Sequence, residues 1–198
     1  MKLGFDLDEV VIALCDVLLE RLNKEFDLNW TIDDFVIYDL LKNNYHHDEE
    51  HNGNIARRAI EIVSDIDIQI TAKPYKEAPP FMRRLRKEGH SLHFITARKR
   101  GEEKKTVSWL RKHKIPFDSV HHLGYGGEKG PVGRMLNLDF YIDDHEDHLE
   151  SMYKYKKRWT KGLALMTRPW NIDSYDASKF VRINNWTELN RHLGIHKR

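Results

Sequence analysis

Eight residues in four short stretches have the types and spacing for chemistry. Asp6 and Asp8 interrupt the apolar run "KLGFDLDEVV" (residues 2–11), and Thr96, Ala97 and Arg98 close "FITAR" (94–98). Lys129 sits in "GYGGEKG" (124–130), and Asp143 and Asp144 close "LDFYIDD" (138–144). Four carboxylates sharing a cleft cannot all stay ionised without a compensating cation. Hard oxygen ligands select a hard divalent ion, and Mg²⁺ suits an open site that keeps waters and a phosphate. In an extended strand, Asp6 and Asp8 point to the same side of the pleat. One could attack beside the metal while the other handles protons. Thr96 and neighbouring amides could hold phosphoryl oxygens, and Lys129 could neutralise the charge that remains.

Such a group needs rigid elements that end at one place. Segment 2–8 reads as a strand, and 10–26 carries Val10, Leu14, Leu18 and Leu22 at helical spacing. Thr31 and Asp34 mark a helix start, and Asn54 is placed to cap "IARRAIEIV" (55–63). From residue 80 the pattern alternates. Helices are expected over 80–89, ending at Gly89, and over 102–113, 130–136, 146–155 and 186–194. Strands are expected over 90–96, 118–123, 138–144, 162–167 and 179–184. Alternation of this kind predicts an α/β fold, a parallel sheet with helices on both faces. Functional groups then gather at the carboxyl ends of the strands. The helices-only stretch reads as an insertion, giving a core of residues 1–14 and 79–198 and a small helical cap of 15–78.

Taken in order, "DLDEV", "FITAR", a lone upstream lysine and "YIDDHED" resemble the four motifs of the haloacid dehalogenase (HAD) superfamily of phosphohydrolases. The resemblance spans residues 5–147, and "MTRPWN" (166–171) is similar to a segment of the 5′(3′)-deoxyribonucleotidase group. It implies a HAD-like Rossmannoid core and a Mg²⁺-dependent phosphatase working through an aspartyl-phosphate. Asp6 would be the nucleophile, and Asp8 would protonate the leaving oxygen and then activate water. Mg²⁺ would be held by Asp6, the Asp8 carbonyl and an acid of the last motif, Asp144 directly with Asp143 acting through water, or the reverse. Thr96 with the Ala97 and Arg98 amides would hold the phosphate, and Lys129 would pair with Asp6 and phosphate. Relatives commonly carry glycine where this chain has Glu9, which predicts added charge and bulk at the mouth of the site.

The expected substrate is a small phosphomonoester, a nucleoside monophosphate first; a sugar phosphate is the rival. A nucleic-acid end-processing phosphatase and a non-catalytic binding protein are further alternatives. With 33 basic and 31 acidic residues, the net charge of +2 gives no reason to expect a stable nucleic-acid complex. Basic runs such as "MRRLRK" (82–87) and "YKYKKR" (153–158) read as solvated helix faces. The lone Cys15 excludes an internal disulfide. No apolar run reaches the ~20 residues of a membrane span, so a cytoplasmic protein, free or as a homodimer, is expected.

"GYGGEKG" fails the P-loop pattern because Gly130 follows the lysine, and reads instead as a flexible loop presenting Lys129, with Lys105 as the substitute. "HHDEEH" (46–51) reads as a polar loop rather than a transition-metal site, and Asp147 as support for metal-bound waters. Of Trp30, Phe35, Tyr38 and Tyr45, one or two should face the substrate. Arg168 and Trp170 either touch the substrate or fix the turn at Pro169.

Overall fold

The apolar runs pair side by side in a single parallel sheet. The structure is a computed structural model that describes residues 1–155, 159–173 and 176–194; the last three residues of "YKYKKR" lie outside these. The strands are β1 (Lys2–Phe5), β2 (Ser91–Thr96), β3 (Ser119–His122), β4 (Phe140–Asp143), β5 (Gly162–Met166) and β6 (Val181–Ile183), in the order β3-β2-β1-β4-β5-β6. The order reverses between β1 and its neighbours, which opens a crevice at their carboxyl ends. Gly4 pairs with His93 on one side and Tyr141 on the other. A Cβ there would lie 2.5 Å from Leu138 Cδ1 and 2.7 Å from Tyr141 Cδ2, so only glycine lets the central strand lie this close to Leu138 and Tyr141.

One face of the sheet is covered by α4 (Ala78–Lys87), α5 (Glu103–Lys112) and α8 (Trp186–Leu193), which contribute Phe81, Met82, Leu85, Trp109 and Leu189 to its core. The other face meets α6 (Gly130–Leu136) and α7 (Glu146–Tyr155), with Leu149 and Met152 buried against Ile95, Tyr141 and Leu165. Between β1 and α4 lie α1 (Leu14–Phe26), α2 (Glu49–Ser64) and α3 (Ile66–Gln69). Leu18, Leu22, Phe35, Tyr45, Ile55, Ala59 and Ile62 form a separate buried cluster there. Two linkers join this segment to the sheet: Ala13 N donates to Lys73 O at 3.0 Å and Tyr75 N to Val11 O at 2.9 Å.

Three expectations need correction. Helix α1 starts at Leu14 rather than residue 10, because Val10, Val11 and Ile12 are fully buried in the linker and Ile12 bridges both Asp8 and Pro74. Helix α2 starts at Glu49, not after Asn54; the Asp48 side chain accepts from His51 N at 2.8 Å, and two glutamates fill the first turn. "HDEEHNGN" is therefore mostly helix. Strand β1 ends at Phe5, so the alternation argument does not govern Asp6 and Asp8.

Candidate active site

Asp6 follows β1 directly, and its amide still donates to Ile142 O of β4 at 3.0 Å. Asp6 is 4% exposed, and its carboxylate meets Lys129 Nζ at 2.5 Å. The same ammonium reaches Asp143 Oδ2 at 2.7 Å. Lys129 immediately precedes α6 and is 1% exposed, so it is a buried ion rather than the tip of a flexible loop. Lys105, the substitute, lies on the surface paired with Asp67. Burial pushes the Asp6 carboxyl up to about 7, against the pull of Lys129. Lys129 is held above its ordinary value; burial opposes its charge, but Asp143 and Asp6 outweigh that.

The two acids closing β4 differ sharply. Asp143 accepts from Lys129 and the Tyr141 hydroxyl on Oδ2, both at 2.7 Å, and from His145 N and His148 Nδ1 on Oδ1, both at 3.0 Å. Burial opposes its ionisation, yet Lys129 and His148 keep its carboxyl well below the usual range. Asp144 has one side-chain donor among the described residues, Trp170 Nε1 at 3.2 Å. Burial, then Asp143 and Asp6, push it well above the usual range. Asp6, Asp143 and Asp144 each offer an oxygen within 4.8 Å of the others, the one group of this kind among the described residues. Three buried hard-oxygen donors, one of them with no contacting cation among the described residues, fit a hard divalent ion.

Beside Asp144 a cavity of about 260 Å³ is lined by Tyr38, Asp144, His145, Glu146, Asp147, Trp170 and Asn171. The Tyr38 ring lies 3.9 Å from that of His145 and 6.3 Å from Trp170. Local burial, then Asp144, Asp6, Asp143 and Asp8, push its hydroxyl above its ordinary value, although the residue as a whole keeps 44% of its surface exposed. Trp30, Phe35 and Tyr45 instead build the helical segment's own core; Trp30 stacks on Tyr45 at 4.5 Å. Trp170 faces the cavity, and Asn171 anchors its turn by donating to Asp144 O and Met166 O, both at 2.8 Å.

Thr96 is 1% exposed at the end of β2, and the Arg98 amide lies 3.3 Å from its Oγ1. The Arg98 side chain was not foreseen as a partner of Asp8. Its Nη2 meets Asp8 Oδ1 at 2.6 Å and its Nε meets Oδ2 at 2.9 Å. Only the arginine two residues beyond a strand-end threonine hinted at this in the sequence.

Glu9 also departs from expectation. It is 6% exposed and adopts φ 57°, the left-handed region where glycine is at home. Its side chain turns inward: Oε1 accepts from Cys15 N at 2.7 Å, and Oε2 accepts from the Tyr75 hydroxyl at 2.5 Å. Arg168 donates to the Glu9 carbonyl, approaches Oε2 at 3.7 Å and covers the Tyr75 ring. Glu9 therefore ties both linkers to the loop after β5 instead of charging the mouth of the site. His46, His47 and His51 lie ring against ring on the helical segment, and no metal-holding group involving them occurs among the described residues.

The model of a family described as "5′ nucleotidase, deoxy (Pyrimidine), cytosolic type C protein" matches residues 1–197. A nucleotidase of Clostridium acetobutylicum is 27% identical over 189 residues, covering 86% of this chain and 93% of that one. A HAD family hydrolase of Deinococcus radiodurans R1, solved with bound phosphate and sodium, superposes with a TM-score of 0.61 at 12% identity, covering 98% and 94% of the two chains. YfnB of Bacillus subtilis, solved bound to magnesium, gives 0.59 at 12% identity over 98% of each chain.

Proposed function

The chain belongs to the cytosolic type C 5′ nucleotidase family and is a HAD-type phosphomonoester hydrolase; from this we propose that it is a Mg²⁺-dependent phosphatase acting on nucleoside monophosphates through an aspartyl-phosphate. The observation that carries the reading is the meeting of Asp6, Asp143 and Asp144, all buried, with Lys129 paired to the first two and no cation contacting Asp144 among the described residues. Asp143 is saturated by four donors, which supports Asp144 as the direct metal ligand alongside Asp6 and the Asp8 carbonyl. The solved relative bound to magnesium supports the choice of ion. When bound, Mg²⁺ would supply positive charge beside the transferring phosphoryl group.

The chain's own residues supply the rest. An Asp6 oxygen attacks phosphorus, the bond to the leaving oxygen breaks, and that oxygen takes a proton from Asp8. Water then attacks the aspartyl-phosphate, its proton passes to Asp8, and the bond between phosphorus and the Asp6 oxygen breaks. Lys129 fixes Asp6 and balances the charge, while Thr96 with the Ala97 and Arg98 amides receives phosphoryl oxygens. Residues 15–78 act as a cap that excludes bulk water. Tyr38 reaches from this cap to the cavity, and with Trp170 and His145 it offers aromatic faces for a base. Such stacking is worth ~1–3 kcal/mol per base.

Phosphate release from a panel of nucleoside monophosphates and sugar phosphates, with EDTA and then excess Mg²⁺, tests this. Nucleotides should be hydrolysed faster, with activity lost in EDTA and restored by Mg²⁺. Equal rates on both classes would defeat the nucleotide assignment, and indifference to EDTA would defeat the metal.

A further inference from the structure

We infer that Arg98 is a positioning residue whose guanidinium fork aims the Asp8 carboxylate for the water-activating half of the reaction. The inference rests on the aspartyl-phosphate reading above and adds a residue to it. Arg98 approaches Asp8 with Nη2 and Nε, one to each oxygen, at 2.6 and 2.9 Å. A two-point fork of this kind fixes both the position and the plane of a carboxylate, which a single contact does not. The Asp8 side chain keeps 24% of its surface exposed, so solvent still reaches it, while the Arg98 side chain is 1% exposed.

The arginine is itself held from behind. Its Nη1 donates to Thr106 Oγ1 at 3.3 Å, and that hydroxyl lies 3.0 Å from His122 Nε2. His122 Nδ1 faces the Lys99 carbonyl at 2.8 Å. A carbonyl only accepts, so Nδ1 carries a hydrogen, and Thr106 Oγ1, which accepts from Arg98, has its own hydrogen to donate to Nε2. Every donor then has one acceptor in a single direction, Arg98 to Thr106 to His122 to the chain. Thr106 is fully buried on α5 and His122 ends β3, two elements with no other part in the site. The chain fixes Arg98, and Arg98 fixes Asp8.

A carboxylate whose two oxygens accept from one fork is posed to accept a further proton from water on a remaining lone pair. That is the second half-reaction: the water O–H bond breaks, its proton goes to Asp8, the water oxygen bonds phosphorus, and the bond between phosphorus and the Asp6 oxygen breaks. Loosening the fork should slow this step and spare the attack by Asp6.

The test uses the full chain with excess Mg²⁺ and p-nitrophenyl phosphate, whose leaving group departs without a proton. Arg98→Ala should lower kcat roughly tenfold or more. KM should fall with it, leaving kcat/KM within about twofold, and a burst of p-nitrophenolate should reveal accumulated phosphoenzyme. Added guanidinium ion should restore part of kcat. Thr106→Val, nearly isosteric, should move kcat and KM the same way to a smaller extent, and Thr106→Ser should reverse that change; this pair carries the test if Arg98→Ala fails to fold. A loss of kcat/KM matching the loss of kcat, with no burst and no rescue, would overturn the positioning role. Wild-type protein inert toward the substrate, or Asp6→Asn as active as wild type, would instead overturn the underlying reading.

Discussion

At the scale of single residues, the decisive fact is an ammonium group with almost no access to water. Lys129 sits between Asp6 and Asp143, and removing it would leave two buried carboxylates facing each other. Breaking a buried pair by deleting one partner is destabilising by about 3–5 kcal/mol. Lys129→Met should show that loss in urea denaturation in EDTA, and a smaller loss in saturating Mg²⁺, where a bound ion would replace the missing positive charge. Asp144 makes the complementary case. Its unspent lone pairs have no contacting cation among the described residues, so Mg²⁺ should raise the wild-type melting temperature by mass action. Asp144→Asn should abolish most of that rise, measured by thermal denaturation with no substrate present. The meeting of Asp6, Asp143, Asp144 and Lys129 was legible because carboxylates closing apolar runs are costly unless they do something. The pairing of Arg98 with Asp8 and the inward turn of Glu9 were not. Both depend on where long side chains go in three dimensions, which spacing along the chain does not encode.

At the scale of elements, the position of Lys129 is set by the close approach of α6 and α7. A Cβ on Gly130 would lie 2.3 Å from Ser151 O, and one on Gly133 would lie 2.4 Å from Met152 Sδ. Gly130→Ala meets backbone and must push α6 away, a change of the overpacking kind that costs about 1–3 kcal/mol. It should therefore lower both stability and activity, whereas Gly133→Ala, which meets a flexible methionine, should cost less. Comparing the two by urea denaturation and phosphate release checks whether the helix contact aims the lysine. The alternating part of the chain was readable because its inner strands β2, β4 and β5 are buried on both faces and its helices are amphipathic; β2 and α4 fall within two residues of expectation. The helical segment read less well. "HHDEEHNGN" is polar enough to pass for a loop, and only the cap at Asp48 turns it into helix. Asp48→Ala should cost about 1 kcal/mol, seen as a drop in melting temperature of roughly 2–4 °C.

At the scale of the whole molecule, the buried titratable groups make stability depend on pH in two opposing ways. His93 is 8% exposed, with Nδ1 on Ser119 and no partner for Nε2 among the described residues, and burial lowers it below its ordinary 6.5. His121 and His113 are lowered by burial as well. A histidine depressed in the folded state binds its proton more tightly when unfolded. Its contribution is therefore complete above pH 6.5 and is lost as pH falls below that. Asp6 acts in the other direction. Raised by burial to about 7 from 3.8, it takes up a proton on folding between those values, so acidification there favours the folded state. Glu9, also raised by burial, adds to that trend whether or not a metal is present. Mg²⁺ would hold Asp6 ionised and remove its share, while protons competing for the ligands would weaken metal binding as pH drops. The melting temperature should thus fall more steeply from pH 7.5 to 5.5 in saturating Mg²⁺ than in EDTA, and His93→Gln should flatten both curves by a similar amount. Parallel curves with and without Mg²⁺ would mean that Asp6 does not share its carboxylate with the ion. The Asp6 charge would then be balanced by Lys129 and not by the ion.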